Sequence, residues 1–365
     1  MDEVKEGIQS PSPPPSSDAS ASASASASAS APAVPEIFQH EPAYELQLLC
    51  AFGSRAFRVH NAGFPHFAAS GELPQLALGA SLAGGAKAAA LLQQELRAAL
   101  DGDAPLGAAQ RRQAVALEAL VRDALGDVAA WARLHSRFAA AAARRACVAP
   151  LALIVPGLEA NARAARLAAR GVVDEVWCRH RAAAAYTVLV EQLAASAAAG
   201  AGGGAGGGAG GSGEETFLFG ARPHSLDALV FAHLEAVRLT AVGAWVREAA
   251  PSLVAYHARV RARFLAPAGA AGAAFALAAG GEVRGGSGPN VFSVLEALVH
   301  AECAGAGAGA GAAYGEPSDA VLEAALRKHA RGAASNSTWL ELARAGAILL
   351  VGAAAAARVY FISLE

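Results

Sequence analysis

The thiols and imidazoles of this sequence are the side chains best suited to nucleophilic, acid–base or metal chemistry. The four cysteines, Cys50, Cys147, Cys178 and Cys303, lie far apart, with no CxxC pair and no histidine at metal-ligand spacing. They read as isolated thiols in a reducing compartment. Cys50 sits in an apolar run beside Leu48, Leu49, Ala51 and Phe52, where a thiol fills core space more often than it attacks a substrate. Ser54 is the other nucleophile nearby. The ten histidines form no HxxxH or HExxH pair, so each is expected in the core or on the surface rather than on a metal. The glycine runs are Ala/Gly repeats without the Lys-Ser of a phosphate loop or a strand ahead of them. No catalytic residue, metal or cofactor is expected.

Charge narrows the partners. The 29 Lys and Arg against 31 Asp and Glu give a net charge of -2, which provides no basic field for nucleic acid. Lysine stands only at Lys5, Lys87 and Lys328, and Ala and Gly recur throughout, so the 54% hydrophobic content is compositional bias rather than membrane content. Asp2, Glu3 and Glu6 open the sequence without an apolar run, unlike a secretory signal or an Arg-rich transit peptide.

The elements that would position these groups fall into blocks. Residues 1–40 hold a Pro run and a Ser-Ala alternation too weakly apolar to offset chain entropy, and are expected to be a disordered tail. Order is expected from Ala43. The apolar stretch 44–52 reads as a buried strand, 57–60 alternates as a second, and 71–76 gives a Pro-bearing turn into a third. That succession suits a thioredoxin-like unit over 43–105. From 109 to 138, Val115, Leu117, Leu120, Val121, Leu125, Val128 and Trp131 recur at helical spacing, and 160–193 repeats the pattern. A Gly/Ala tract at 195–213 interrupts as a flexible insertion before helix resumes at Ser225 and runs on to about 265. Residues 266–337 then read as a low-complexity tract to 288, an apolar stretch at 291–299 and a helix at 319–329.

The most informative segment is 217–234. Phe217, Leu218, Phe219, Gly220, Pro223, Ser225, Leu226, Asp227, Ala228 and Phe231 place an aromatic pair and a Gly turn ahead of a helix whose start Ser225 and Asp227 would cap. This run resembles the signature of the C-terminal helical domain of metaxins, a variant of the capping motif in glutathione-transferase folds. Ala221 and His224 depart from it. Ser70, Gly71, Glu72, Leu73 and Pro74 resemble a turn of the family's N-terminal domain, and 253–257 a later stretch of its helical domain. The resemblance covers about 43–265 and implies an α+β, glutathione-transferase-like fold, with a thioredoxin-like N-terminal domain, an all-helical domain at 109–265 and a cis peptide at Pro74. Pro74, Phe217, Phe219, Gly220, Pro223, Ser225 and Asp227 are its structural residues. The glutathione-holding pair of active transferases has no counterpart at 76–81, where Ser81 follows no acid or amide.

Beyond Trp339, residues 345–364 carry one charge, Arg358, and span about 30 Å as a helix, the thickness of a bilayer core. Residues 339–364 fit either a buried or amphipathic final helix or a C-terminal transmembrane helix; their position after a polar Asn-Ser-Thr spacer, together with the resemblance, implies the latter, a tail anchor that leaves nearly all the rest in the cytosol. With the resemblance, this implies a non-enzymatic component of mitochondrial outer membrane protein import and β-barrel protein assembly. Its expected partners are subunits of the sorting and assembly machinery and β-barrel precursor proteins. The competing expectations are a glutathione transferase-type enzyme and a soluble transferase-like scaffold in a cytosolic complex.

Overall fold

A computed structural model describes residues 34–39, 42–61, 73–101, 106–146, 151–172, 174–202, 216–266, 277–278, 281–283, 294–295, 297–299, 301–302 and 314–336. Over these the protein is mixed α+β and mostly helical, with one five-stranded sheet.

The sheet begins at β1 (Glu36–Gln39), which lies inside the block expected to be a disordered tail. Four residues are too few to show a period against their Ala- and Pro-rich neighbours, yet Ile37 is fully buried. Next comes α1 (Tyr44–Phe52), where a strand was expected. Its Leu46, Leu48, Leu49 and Cys50 are all buried, so no polar stripe marks the helical period, and the apolar run reads equally well as strand. Gly53 and Ser54 end the helix, Ser54 in the left-handed region at φ 51°. β2 (Phe57–Asn61) and β3 (Gln75–Leu78) stand where strands were expected, and the Leu73–Pro74 peptide ahead of β3 is cis. β4 (Ser81–Gly84) and α2 (Ala86–Asp101) complete the unit.

Pairing gives the strand order β4-β3-β1-β2, with β1 parallel to β2, β3 antiparallel to β1 and β4 antiparallel to β3. A fifth strand, numbered β7 in chain order, adds Gly281–Val283 in parallel to the outer edge of β2. The strand comes from the tract expected to be a low-complexity insertion, whose glycines hide a three-residue pairing that only the sheet edge specifies.

Helices follow: α3 (Ala108–Ala119), a π-helical turn (Leu120–Leu125), α4 (Gly126–His135), α5 (Arg137–Ala146), α6 (Leu151–Ala169) and α7 (Glu175–Gly202). The expected pattern from 109 to 138 holds, although Val115 is 68% exposed. α7 runs eight residues into the 195–213 insertion, because its Ala-rich end has high helix propensity. Then come α8 (Ser225–Val237), α9 (Ala241–Ala249) and α10 (Pro251–Phe264), the last with its Pro at the first helical position. β5 (Leu265–Ala266) pairs with β6 (Leu277–Ala278), and α11 (Asp319–Asn336) ends the described chain. The blocks 1–33 and 203–213, and the tail 339–364, lie outside the described residues.

One large core joins sheet and helices. Ile37, Leu49, Phe57, Val59, Leu76 and Leu92 meet Leu125, Tyr186, Phe231, Leu234 and Tyr256 in a single cluster. Each fully buried aliphatic or aromatic side chain contributes about 1.5–3 kcal/mol. A second cluster, Phe138, Ala142, Leu239, Leu295, Val299, Leu322 and Ala325, attaches α11 to α5.

Candidate functional site

The start of α8 concentrates the expected structural residues. Phe217 and Gly220 close a tight loop, Phe217 N–H donating to the Gly220 carbonyl at 2.7 Å and Gly220 N–H returning the bond at 3.3 Å. At φ 124° the Gly220 backbone lies where a side chain would be strained. The loop aims backbone donors at Asp227, in the first turn of α8. Leu218 N–H donates to Asp227 Oδ1 at 3.0 Å and His224 N–H to Oδ2 at 2.8 Å. From α10, Tyr256 Oη–H donates to Oδ1 at 2.7 Å. Asp227 is fully buried; burial raises its pKa above the usual aspartate range, and the Leu218, Tyr256 and His224 donors oppose that rise.

Asp227 therefore caps as expected, by taking the N–H of His224, the residue just before the helix. Ser225 does not share the task. Its hydroxyl lies 3.2 Å from His224 Nδ1, because Ser225 already holds the first helical position, one residue too far along for its side chain to cap the end. Phe217 packs on Phe264 at 6.2 Å between ring centres, and Phe219 on His224 at 6.0 Å. Pro223 leads into the helix. Pro74 belongs to the sheet, at the entry of β3, where its carbonyl accepts Gly85 N–H at 2.9 Å.

Two members of this node carried no assigned role in the sequence. Tyr256 falls in the stretch 253–257 that resembles the family, but nothing in that run says its hydroxyl reaches Asp227. Gln192 of α7 donates to the Leu218 carbonyl at 2.6 Å, and no sequence signal marks it. The node ties α7, α8 and α10 to one loop.

A second polar cluster lies two turns along α8. Glu235 is almost wholly buried; Arg238 Nε stands 2.6 Å and His257 Nε2 3.2 Å from its Oε2, and Arg261 reaches Oε1. His257 stacks on Phe231 at 4.5 Å, and burial, then the Arg238 charge, lowers its pKa well below the usual histidine range. Tyr314 closes over this cluster with its ring 5.6 Å from His257, and its carbonyl accepts from Arg247 at 2.6 Å. Nearby, His233 Nε2 and Tyr186 Oη are 2.8 Å apart in the core. Burial, then Arg133, pushes the His233 pKa down to about 3.

The β1–α1 corner is filled by amides. Gln39 is fully buried, its Oε1 accepting Ala43 N–H at 2.8 Å and Gln47 Nε2–H at 3.1 Å. Farther along α1, Cys50 is fully buried and burial pushes its thiol up to about 12, so it stays protonated at neutral pH. A cleft of about 500 Å³ opens between α2, α3 and the start of α8, bordered by Gln93, Leu100, Arg111, Val115 and His224. Among the described residues no three His, Cys, Asp or Glu side chains are grouped to hold a metal ion. Compared with known proteins, the chain matches no protein-family model and no curated protein sequence.

Proposed function

We propose that this chain is a non-catalytic, metaxin-like component of mitochondrial outer membrane protein import and β-barrel assembly, with a glutathione-transferase-like fold. The observation that carries the reading is the Asp227 node. Residues 217–227, which bear the family resemblance, make a closed loop, a capped helix start and a tyrosine anchor, in keeping with the structural role that the resemblance implies for them. The strand order β4-β3-β1-β2 followed by α2 and a helical region supports a thioredoxin-like unit joined to an all-helical one. The protonated, buried Cys50 argues against a thiolate nucleophile at that position. In this reading the helical region receives β-barrel precursors on the cytosolic face, beside subunits of the sorting and assembly machinery, and residues 339–364 tether it to the membrane. One described helix, Glu175–Ala199 within α7, is also long and apolar enough to cross a bilayer; its Cys178, Tyr186 and Leu189 are buried in the large core.

Imaging a fluorescent N-terminal fusion with and without residues 339–365 tests the reading. The full chain should ring mitochondria and the shortened one should fill the cytosol. Photo-crosslinking in isolated mitochondria should join the full chain to an arriving β-barrel precursor. A full chain that is diffuse and joins no precursor overturns the proposal.

A further inference from the structure

Two aliphatic side chains in the first half of α6 are uncovered. Ile154 and Leu158, one turn apart, are 57% and 63% exposed, and Ala162 continues their stripe in the open. Among the described residues of α6, Leu167 is the one in the large core, and Ile154 and Leu158 are not part of it. Such a surface calls for an occupant.

Its surroundings define the chemistry. The last turn of α5 carries Arg144 and Arg145, both exposed, and four residues separate the end of α5 at Ala146 from the start of α6 at Leu151. α11 runs parallel to α5. At its start Asp319 pairs with Arg137, in the middle Leu322 and Ala325 cluster with Phe138 and Ala142, and near its end Arg145 is close enough to help lower the His329 pKa. The described end of α11 therefore lies on the same side of the molecule as the end of α5, from which the chain passes into α6 with its open Ile154 and Leu158. Aliphatic side chains flanked by arginines match the acyl boundary and negative head groups of an anionic bilayer.

The geometry points to the α5–α6 corner as the face that lies on the membrane, with Ile154 and Leu158 entering the interface of anionic lipid and Arg144 and Arg145 on its head groups. This rests on the membrane reading above and adds which side of the helical region meets the lipid. A precursor received there would approach from the opposite side.

The test places an environment-sensitive dye on the full chain at Leu158→Cys, or as a control at Val115→Cys on α3, with Cys147 and Cys303 changed to Ser; Cys50 and Cys178 are buried. Vesicles of phosphatidylcholine and phosphatidylserine in a roughly 70:30 mixture should brighten the dye at 158 about threefold and leave that at 115 unchanged. Arg144→Glu with Arg145→Glu should abolish the brightening. If the protein floats with the vesicles while 158 stays as wet as 115, this face is wrong and the membrane reading stands. No flotation with either vesicle type overturns both. Equal brightening on pure phosphatidylcholine overturns the anionic assignment, and brightening that grows with protein concentration without lipid gives the stripe to a second copy and overturns the proposal.

Discussion

At the residue scale, Asp227 carries more than a helix cap. Its carboxylate takes two backbone donors and the Tyr256 hydroxyl inside the core, so Asp227→Ala strands all three and should cost about 3 kcal/mol in a urea denaturation series, against about 1 for an ordinary exposed cap. Tyr256→Phe removes one donor and should cost about 1 kcal/mol. If the tyrosine change costs more than the aspartate change, the carboxylate does not organise the node. His233 sets a pH dependence. The unfolded chain takes up a proton near the ordinary 6.5, whereas the folded one resists until about 3. Stability from this group is thus complete above pH 6.5 and is lost as pH falls toward 3, at up to about 1.4 kcal/mol per pH unit. His257 acts in the same direction, and the raised Asp227 pKa acts oppositely at acid pH. His233→Gln should flatten the loss between pH 6.5 and 5 in urea melts; a slope equal to the parent's would remove His233 as its cause. The pairing of Asp227 with its own helix end was legible in the sequence because capping is local. Tyr256 and Gln192 were not, since their partners lie 29 and 26 residues away and depend on how the helices pack.

At the scale of elements, packing decides what local pattern leaves open. The segments 109–138 and 160–193 read as helices because one face of each is polar. α1 did not, because burial on nearly all sides erases the period, and β1 and the strand at 281–283 did not, because strands of four and three residues get their identity from a neighbour. Only the sheet could supply it. The α8–α9 turn shows the same dependence in a testable form. A Cβ on Gly243 would stand 2.3 Å from the Arg238 carbonyl oxygen and 2.8 Å from that of Val237, both backbone atoms that cannot swing aside. Gly243→Ala should therefore destabilise the protein by about 2–3 kcal/mol and separate α8 from α9, read as a lowered melting temperature. A melting temperature equal to the parent's would mean the turn opens freely.

At the scale of the molecule, location follows from the tail in the proposed reading. Leu350→Arg adds a second cation to the run 345–364, at about 2.5–3.5 kcal/mol, and should lower the inserted fraction roughly a hundredfold in a carbonate extraction. Unchanged retention in the pellet would take the anchor away from this segment. The strand at 281–283 has a different consequence, one of timing. It seals the open edge of β2 with residues translated about 220 positions later. At about 5–20 residues per second, the first four strands wait on the order of 10–40 s for their edge to be covered, and meanwhile offer β2 to any other extended chain. Nascent chains stalled before 281 should thus be the ones that recruit chaperones, and fragments ending near 105 should self-associate.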